Sequence, residues 1–148
     1  MSGGDQLIEA AQAVRENAYA PYSRLKVGAA IRAEDGRIFV GANVENASYP
    51  EGLCAEAAAI AAMIAAGATR IAAVAVVADA DRPVPPCGGC RQRIAEFAGP
   101  ETEIHLATIA GARTELRFSD LLPHAFTPKH LPVRPSTTLR SAQDEDVS

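Results

Sequence analysis

Residues 54–78 read CAEAAAIAAMIAAGATRIAAVAVVA and carry the clearest structural signal in the chain. The first half is rich in alanine and predicts a helix over residues 54–66 that ends at Gly67. This helix has almost no polar face, so we expect it to be buried on most sides. Residues 71–78 are apolar, which is typical of a strand in the middle of a sheet covered on both faces. A buried helix followed by a buried strand indicates an α/β domain.

The flanking sequence adds two helices and four strands. Asp5 is expected to cap the first helix, and Asp35-Gly36 predicts a hairpin turn between the first two strands. In chain order, these elements are predicted at residues 6–18 (helix), 25–32 and 38–44 (strands), 90–97 (helix), and 103–108 and 113–118 (strands). We therefore predict a mixed five-stranded sheet with helices on both faces.

Length and charge limit the classes of protein to consider. The 148 residues provide for one domain, and the net charge of −4 argues against a nucleic acid or an anionic membrane as the main partner. No apolar run reaches the roughly 18 residues that span a bilayer. The first residues lack the features of a signal peptide, so we expect a cytoplasmic protein. We also expect a domain over residues 1–126 and a disordered tail over residues 127–148, which are rich in proline, Ser/Thr and acidic residues.

The three cysteines form a pattern that suits a metal. Two lie in Cys87-Gly88-Gly89-Cys90, and Cys54 lies at the start of the predicted helix. A helix N-terminus presents unpaired N–H groups and positive partial charge, which stabilise a thiolate. Two such helix starts that face each other could place three thiolates around one ion. Three protein ligands with an open fourth position are typical of catalytic zinc.

Glu56 is close enough to that open position to act without being a ligand. A carboxylate there can take a proton from a water activated by the metal and pass it to a substrate nitrogen. Zinc-dependent nucleobase deaminases combine a three-cysteine zinc site, a Pro-Cys-x-x-Cys segment and a glutamate in this way. Pro86 precedes Cys87, so the present sequence has all three features.

Six segments together resemble the small homotetrameric zinc-dependent cytidine deaminases, over roughly residues 19–126. They are, in order, Ala20-Pro21-Tyr22-Ser23, Val27-Gly28-Ala29-Ala30, residues 41–49 (GANVENASY), Cys54-Ala55-Glu56, residues 86–92 (PCGGCRQ) and residues 121–126 (LLPHAF). The resemblance implies the three-layer fold of that family and one Zn²⁺ per chain, held by Cys54, Cys87 and Cys90. It also implies hydrolysis of free cytidine and 2′-deoxycytidine to uridine and 2′-deoxyuridine plus ammonia, in pyrimidine salvage, with Glu56 as the catalytic proton shuttle.

The same resemblance implies roles for five further positions. Asn43 and Glu45 should hold the ribose 3′-hydroxyl, since alternating residues of a strand point to one face. The Ala55 N–H should bind the base carbonyl. Phe126 should stack on the pyrimidine of a neighbouring subunit, and Tyr49 should line the pocket at that interface. We therefore expect a homotetramer with shared active sites.

One departure from the family pattern concerns the charge of the metal site. The residue after the catalytic glutamate is frequently an arginine that donates to the thiolates, whereas this chain has Ala57. We expect the N–H groups of the two helix starts to take the place of that arginine. Arg91 is expected to be a partial substitute, because its guanidinium group could reach a sulfur.

Three other interpretations stay open at this point. The chain could deaminate a modified cytosine nucleoside of the blasticidin S type, or cytosine in a polynucleotide, although its acidic charge disfavours the latter. It could also be a non-catalytic zinc-stabilised interaction module, which would be expected to have a fourth ligand. His105, His124 and His130 lie outside the six segments or lack suitable spacing, so we expect none of them to bind the metal.

Overall fold

The structure is a computed structural model that describes residues 1–132. All the helices and strands expected from the sequence are present, with bounds that differ by a few residues. The elements are α1 (Gly3–Arg15), β1 (Val27–Ala33), β2 (Ile38–Ala42), α2 (Ala55–Ala65), β3 (Ile71–Ala78), α3 (Gly88–Phe97), β4 (Ala98–Thr108), β5 (Arg113–Arg117) and α4 (Phe118–Leu121). Single 3₁₀ turns occur at Tyr49–Glu51 and Pro128–His130.

The five strands form one mixed sheet in the order β2-β1-β3-β4-β5. Strands β3 and β4 are parallel, and the other neighbours are antiparallel. The expected hairpin joins β1 to β2, and Gly36 in its turn has a φ of 92°, which glycine adopts without strain. The predicted mixed five-stranded sheet is therefore confirmed.

Alternating residues of β1 and β3 divide the core into two layers. On one face, the larger side chains of Ile31, Val74 and Val76 belong to a cluster with residues of α2, α3 and α4. On the other face, smaller residues such as Ala30 and Ala75 belong to a cluster with α1. The sheet thus has helices on both faces, as predicted, and the molecule has three layers.

Two glycines let helices lie directly on strands. A Cβ at Gly28 of β1 would be 1.9 Å from the carbonyl oxygen of Ala11 in α1. A Cβ at Gly41 of β2 would be 2.3 Å from the amide nitrogen of Ala59 and 2.5 Å from the carbonyl oxygen of Ala55, both in α2. The start of α2 is therefore held against the end of β2, which brings Cys54 and Glu56 close to the residues that follow β2.

The expected cap of α1 was wrong. The N-cap is Ser2, whose hydroxyl accepts the Asp5 N–H at 3.1 Å, while the Asp5 carboxylate accepts the Ser2 N–H at 3.0 Å. Asp5 is thus the acidic partner in a capping box, which satisfies two N–H groups at once. The helix consequently begins earlier than residue 6.

Of the tail predicted over residues 127–148, the structure describes residues 127–132. Leu121 is the last buried residue, and residues 122–132 are partly or fully exposed. The disorder predicted for residues 133–148 lies outside the described residues. Within residues 1–132, no helix is long and apolar enough to cross a bilayer.

Candidate active site

The three cysteine sulfurs converge at one point. Their Sγ atoms all lie within 4.8 Å of one another. Cys54 is the N-cap of α2, Cys87 is the N-cap of α3, and Cys90 lies in the first turn of α3. The two helix starts therefore meet, as the sequence predicted. Soft sulfur ligands at this separation fit one Zn²⁺ and leave a fourth position for water or substrate.

The surroundings of the three thiols differ. Burial raises the pKa of Cys90 well above its ordinary value and also raises the pKa of Cys54. The pKa of Cys87 is lowered, chiefly by the backbone N–H of Cys90, although that contact lacks the geometry of a full capping hydrogen bond. Cys87 is thus the thiol that ionises most readily in the metal-free protein. A bound cation would lower the pKa of all three thiols, because a coordinating thiol is deprotonated outright.

Glu56 lies beside the cluster in a largely dehydrated position. Its side chain is 5 % exposed, and its Oε2 accepts a hydrogen bond from the thiol of Cys90, with 3.7 Å between oxygen and sulfur. Burial raises the pKa of the Glu56 carboxyl. Hydrogen bonds from its own backbone N–H and from the Cys90 thiol, and then the positive charge of Arg93, partly offset that rise. A buried carboxyl with a raised pKa next to a metal site is suited to proton transfer.

A cavity of about 300 Å³ opens onto the cysteine cluster. Its size is appropriate for a small organic ligand. Its walls include apolar side chains such as Val27 and Val76. The residues expected to serve the site that line it are Asn43, Glu45, Cys54, Ala55, Glu56 and Cys87. Because α2 begins at Ala55, the backbone N–H of that residue has no partner within the helix.

Hydrogen bonds fix the two polar side chains at the edge of this cavity. The side-chain oxygen Oδ1 of Asn43 accepts a hydrogen bond from the N–H of Val27 at 2.8 Å. The Glu45 carboxylate accepts the N–H groups of Tyr22 and Ser23 at 2.8 and 3.0 Å, together with the Ser23 hydroxyl. The Ser23 hydroxyl is the main reason that the pKa of Glu45 is lowered. Glu45 is therefore held as an anion in one orientation.

Comparisons with known proteins agree with this geometry. Residues 1–106 match the family described as the cytidine and deoxycytidylate deaminase zinc-binding region. The cytidine deaminase of Halalkalibacterium halodurans is 49% identical over 121 residues, which cover 82% of this chain and 92% of that protein. The crystal structure of cytidine deaminase from Burkholderia pseudomallei is 48% identical, covers 85% of this chain and 100% of that chain, and has a TM-score of 0.80. The crystal structure of the Mycobacterium tuberculosis cytidine deaminase is 40% identical. The match covers 85% of this chain and 98% of that chain, with a TM-score of 0.74.

The chain belongs to the cytidine and deoxycytidylate deaminase family. It is thus a zinc-dependent hydrolase. The part matched to the zinc-binding region contains all three cysteines and Glu56, and the cysteine cluster could hold one zinc ion.

Two expected substrate contacts of this deaminase lie outside the cavity of a single chain. Tyr49 is 78 % exposed and lies at a neighbouring depression, where its ring packs edge-on against Tyr22 with 6.1 Å between centroids. Phe126 is 56 % exposed and stacks on His130. One chain therefore brings the cysteines, Glu56, Asn43 and Glu45 together, but not the two aromatic side chains.

The expectation for Arg91 was wrong, and a different arginine was missed. Arg91 donates from Nε to the carbonyl oxygen of Pro86 and from Nη1 to that of Leu121, both at 2.8 Å. Within residues 1–132 it makes no hydrogen bond to a sulfur. Instead, Nη1 of Arg93 lies 4.0 Å from the Sγ of Cys90. The signal for Arg93 was its spacing of three residues after Cys90, which places both on one face of a helix.

The histidines of the described chain do not contribute to the metal site. His105 is buried between the carboxylates of Glu115 and Glu103, at 3.1 and 3.2 Å, beside a wide depression of about 910 Å³ near the start of α1. Within residues 1–132, the three cysteines form the only cluster with the spacing of a metal site. The metal site of this deaminase therefore lies at the smaller cavity, which Cys54 and Cys87 line.

Proposed function

We propose that this chain catalyses the hydrolytic deamination of free cytidine and 2′-deoxycytidine to uridine and 2′-deoxyuridine with release of ammonia. The observation that supports this most directly is the buried Glu56 carboxyl, in contact with Cys90 at a cavity that Asn43 and Glu45 also line. The relatives named as cytidine deaminases favour an ordinary nucleoside over a modified one. The reaction serves pyrimidine salvage.

In the proposed mechanism, Cys54, Cys87 and Cys90 hold the zinc ion. When bound there, zinc supplies a Lewis acid that activates water for attack on C4 of the pyrimidine. The Ala55 N–H donates to the base carbonyl and orients the ring. Glu56 takes one proton of the attacking water and delivers it to N3 of the base. It then takes the remaining proton, from the hydroxyl now on C4, and passes it to the departing amine as the C4 carbonyl forms. The C4–N bond breaks, and ammonia leaves.

Sugar recognition is assigned to the residues that follow β2. Asn43 and Glu45 hold the ribose 3′-hydroxyl, for which their hydrogen bonds to the main chain keep them in place. Both free nucleosides carry this hydroxyl, and the proposed contacts do not involve the 2′ position. Cytidine and 2′-deoxycytidine therefore both qualify as substrates.

We further propose a homotetramer in which neighbouring subunits complete each active site. Exposed apolar side chains lie at the cavity, which Val44 and Leu53 help to line, and at a neighbouring depression, which Tyr22 and Tyr49 help to line. Exposed apolar side chains grouped in this way are typical of a surface that contacts another protein. Phe126, which is exposed and is not part of the lining of its own cavity, would stack on the pyrimidine of a neighbour, with Tyr49 at the same interface.

We also propose a domain boundary and a cellular compartment for this protein. The deaminase domain covers residues 1–126 and a tail follows from residue 127, a boundary supported by the absence of buried side chains after Leu121 in the described part of the chain. The protein acts in the cytoplasm, where a reducing environment keeps metal-binding thiols such as Cys54, Cys87 and Cys90 reduced.

The proposed activity is tested by zinc analysis and by the ultraviolet absorbance change that accompanies conversion of cytosine to uracil in the nucleoside. We expect Cys87→Ala to lose zinc and activity together. Glu56→Gln should keep one zinc per chain but lose more than about 10²-fold in turnover, because the amide cannot transfer the proton. The matched control is Glu51→Gln, an exposed glutamate nearby, which should behave as the parent.

Two results would contradict the proposal. A zinc-loaded parent that leaves cytidine and 2′-deoxycytidine unchanged, but converts a modified cytosine nucleoside, would favour the blasticidin S type of activity. Turnover of Glu56→Gln within a few-fold of the parent would assign the proton transfer to another group.

A further inference from the structure

The metal site concentrates negative charge, and the residue that follows Glu56 is Ala57. Three thiolates around Zn²⁺ leave a net charge of about −1, and the Glu56 carboxyl is buried beside them. Ala57 carries no donor, and Arg91 is engaged with two backbone carbonyls. A nearby positive charge would therefore stabilise the thiolate form of the site.

We propose that Arg93 is the positioning residue that disperses this charge and tightens zinc binding. Its Nη1 is 4.0 Å from the Sγ of Cys90, on the same face of α3 and one turn further along the helix. At this distance, a guanidinium favours the anionic form of a sulfur through charge as much as through hydrogen bonding.

Gly89 provides the space in which the Arg93 guanidinium lies. A Cβ at Gly89 would be 3.2 Å from Nη1 of Arg93 and 4.0 Å from the Sγ of Cys87. The guanidinium thus lies beside the first turn of α3, with one of the three sulfurs, that of Cys90, 4.0 Å away.

Within residues 1–132, Arg93 forms no ion pair at contact distance, and its charge acts on the buried Glu56 carboxyl beside the sulfurs. The ion pairs of that part of the chain involve other arginines, and none includes Arg93. Its charge is therefore directed to the cysteine cluster, where it would slow loss of the metal. This inference rests on the zinc site of the proposed function, but it concerns metal retention and not the identity of the substrate.

The test measures the rate at which the zinc-loaded enzyme transfers its metal to an excess of a coloured chelator. We expect Arg93→Ala and Arg93→Gln to release zinc about tenfold faster than the parent, as is typical when a group that supports a metal ligand is removed. Arg93→Lys should remain near the parent rate because it keeps the charge. The matched control is Arg70→Ala, which removes an exposed arginine distant in sequence from the cluster and should not change the rate.

A second readout separates charge dispersal from a loss of folding. In the Co²⁺-loaded protein, the thiolate-to-metal absorption band should move to lower energy in Arg93→Ala and Arg93→Gln, and stay in place in Arg93→Lys and Arg70→Ala. Unchanged release rates and an unchanged band in Arg93→Ala would overturn the inference, even if the parent binds zinc and deaminates cytidine. A parent that binds no zinc would instead refute the proposed function.

Discussion

Glu45 joins the cavity to the turn that contains Tyr22 and Ser23. Its hydrogen bonds from that turn stabilise the carboxylate and lower its pKa. A carboxyl with a lowered folded-state pKa contributes stability above its unfolded pKa of roughly 4.3, and that contribution is lost as the pH falls through the folded value. The attachment of this turn should therefore persist at neutral pH and be lost only in acid.

At the residue scale, we predict that Glu45→Gln affects the ribose contact selectively. The kcat/KM for cytidine should fall by about 10- to 100-fold, which corresponds to one hydrogen bond to a charged group. For 3′-deoxycytidine, which lacks the hydroxyl, the same substitution should have little effect. Steady-state kinetics with both substrates test this, with Glu51→Gln as the control. Equal losses for the two substrates would show that Glu45 acts through the Tyr22–Ser23 turn instead.

At the scale of elements, the contact of α2 with β2 determines where the zinc ligands lie. The helix is built largely from alanine, and Gly41 removes the side chain that would otherwise separate it from the strand. Cys54 and Glu56 are at the end of α2 nearest to this contact. A shift of the helix would therefore move one metal ligand relative to the other two.

We predict that Gly41→Ala destabilises the fold and weakens zinc binding together. A Cβ would overlap the backbone of Ala55 and Ala59, which cannot move aside as a side-chain end would. We expect a loss in the free energy of unfolding of about 1–3 kcal/mol or more. Urea unfolding and zinc analysis measure the two effects.

Gly99→Ala is the matched control for this substitution, because a Cβ at Gly99 would meet nothing within 4 Å. It should leave stability within about 1 kcal/mol of the parent or raise it slightly. Equal stability of the Gly41 and Gly99 variants would contradict the close contact between α2 and β2.

At the scale of the whole molecule, a shared active site explains the exposed aromatic side chains near the cavity. Tyr22, Tyr49 and Phe126 are each more than half exposed in the single chain. Aromatic side chains contribute large apolar areas to interfaces between subunits. In the proposed tetramer, they would be covered by neighbouring subunits.

A mixing experiment tests whether Phe126 acts in a neighbouring subunit. Glu56→Gln and Phe126→Ala chains should each be poorly active as separate homo-oligomers. When they are co-expressed, hybrid oligomers should regain activity, because some sites combine an intact Glu56 from one chain with an intact Phe126 from another. Sedimentation checks that the parent and the hybrids are tetramers. Activity of the mixture no greater than the sum of the two variants, despite hybrid formation, would place Phe126 in its own chain's site or outside the reaction.

The local pattern of residues was sufficient to predict most elements and the metal ligands. Helix α2 and strand β3 were predicted within a residue, because an alanine run that ends at Gly67 and an apolar β-rich run differ in periodicity and in their end signals. Cys54, Glu56 and the Cys87–Cys90 pair were found because residues two or three positions apart at the start of a helix also lie close together in the folded chain. The cap of α1 was missed because Ser2 and Asp5 are both good N-caps, and only their reciprocal hydrogen bonds distinguish them.

Tertiary structure alone decided which arginine faces the sulfurs. Arg91 and Arg93 are both close to Cys90 in sequence, and both have side chains long enough to reach it. Arg91 instead donates a hydrogen bond to the carbonyl oxygen of Leu121, which belongs to α4 and is 30 residues further along the chain. Such a contact depends on how α3 and α4 pack, so the helical spacing that favours Arg93 could not by itself exclude Arg91. The sequence by itself therefore determined the fold class and the identity of the metal ligands, whereas long-range packing determined which charge lies beside them.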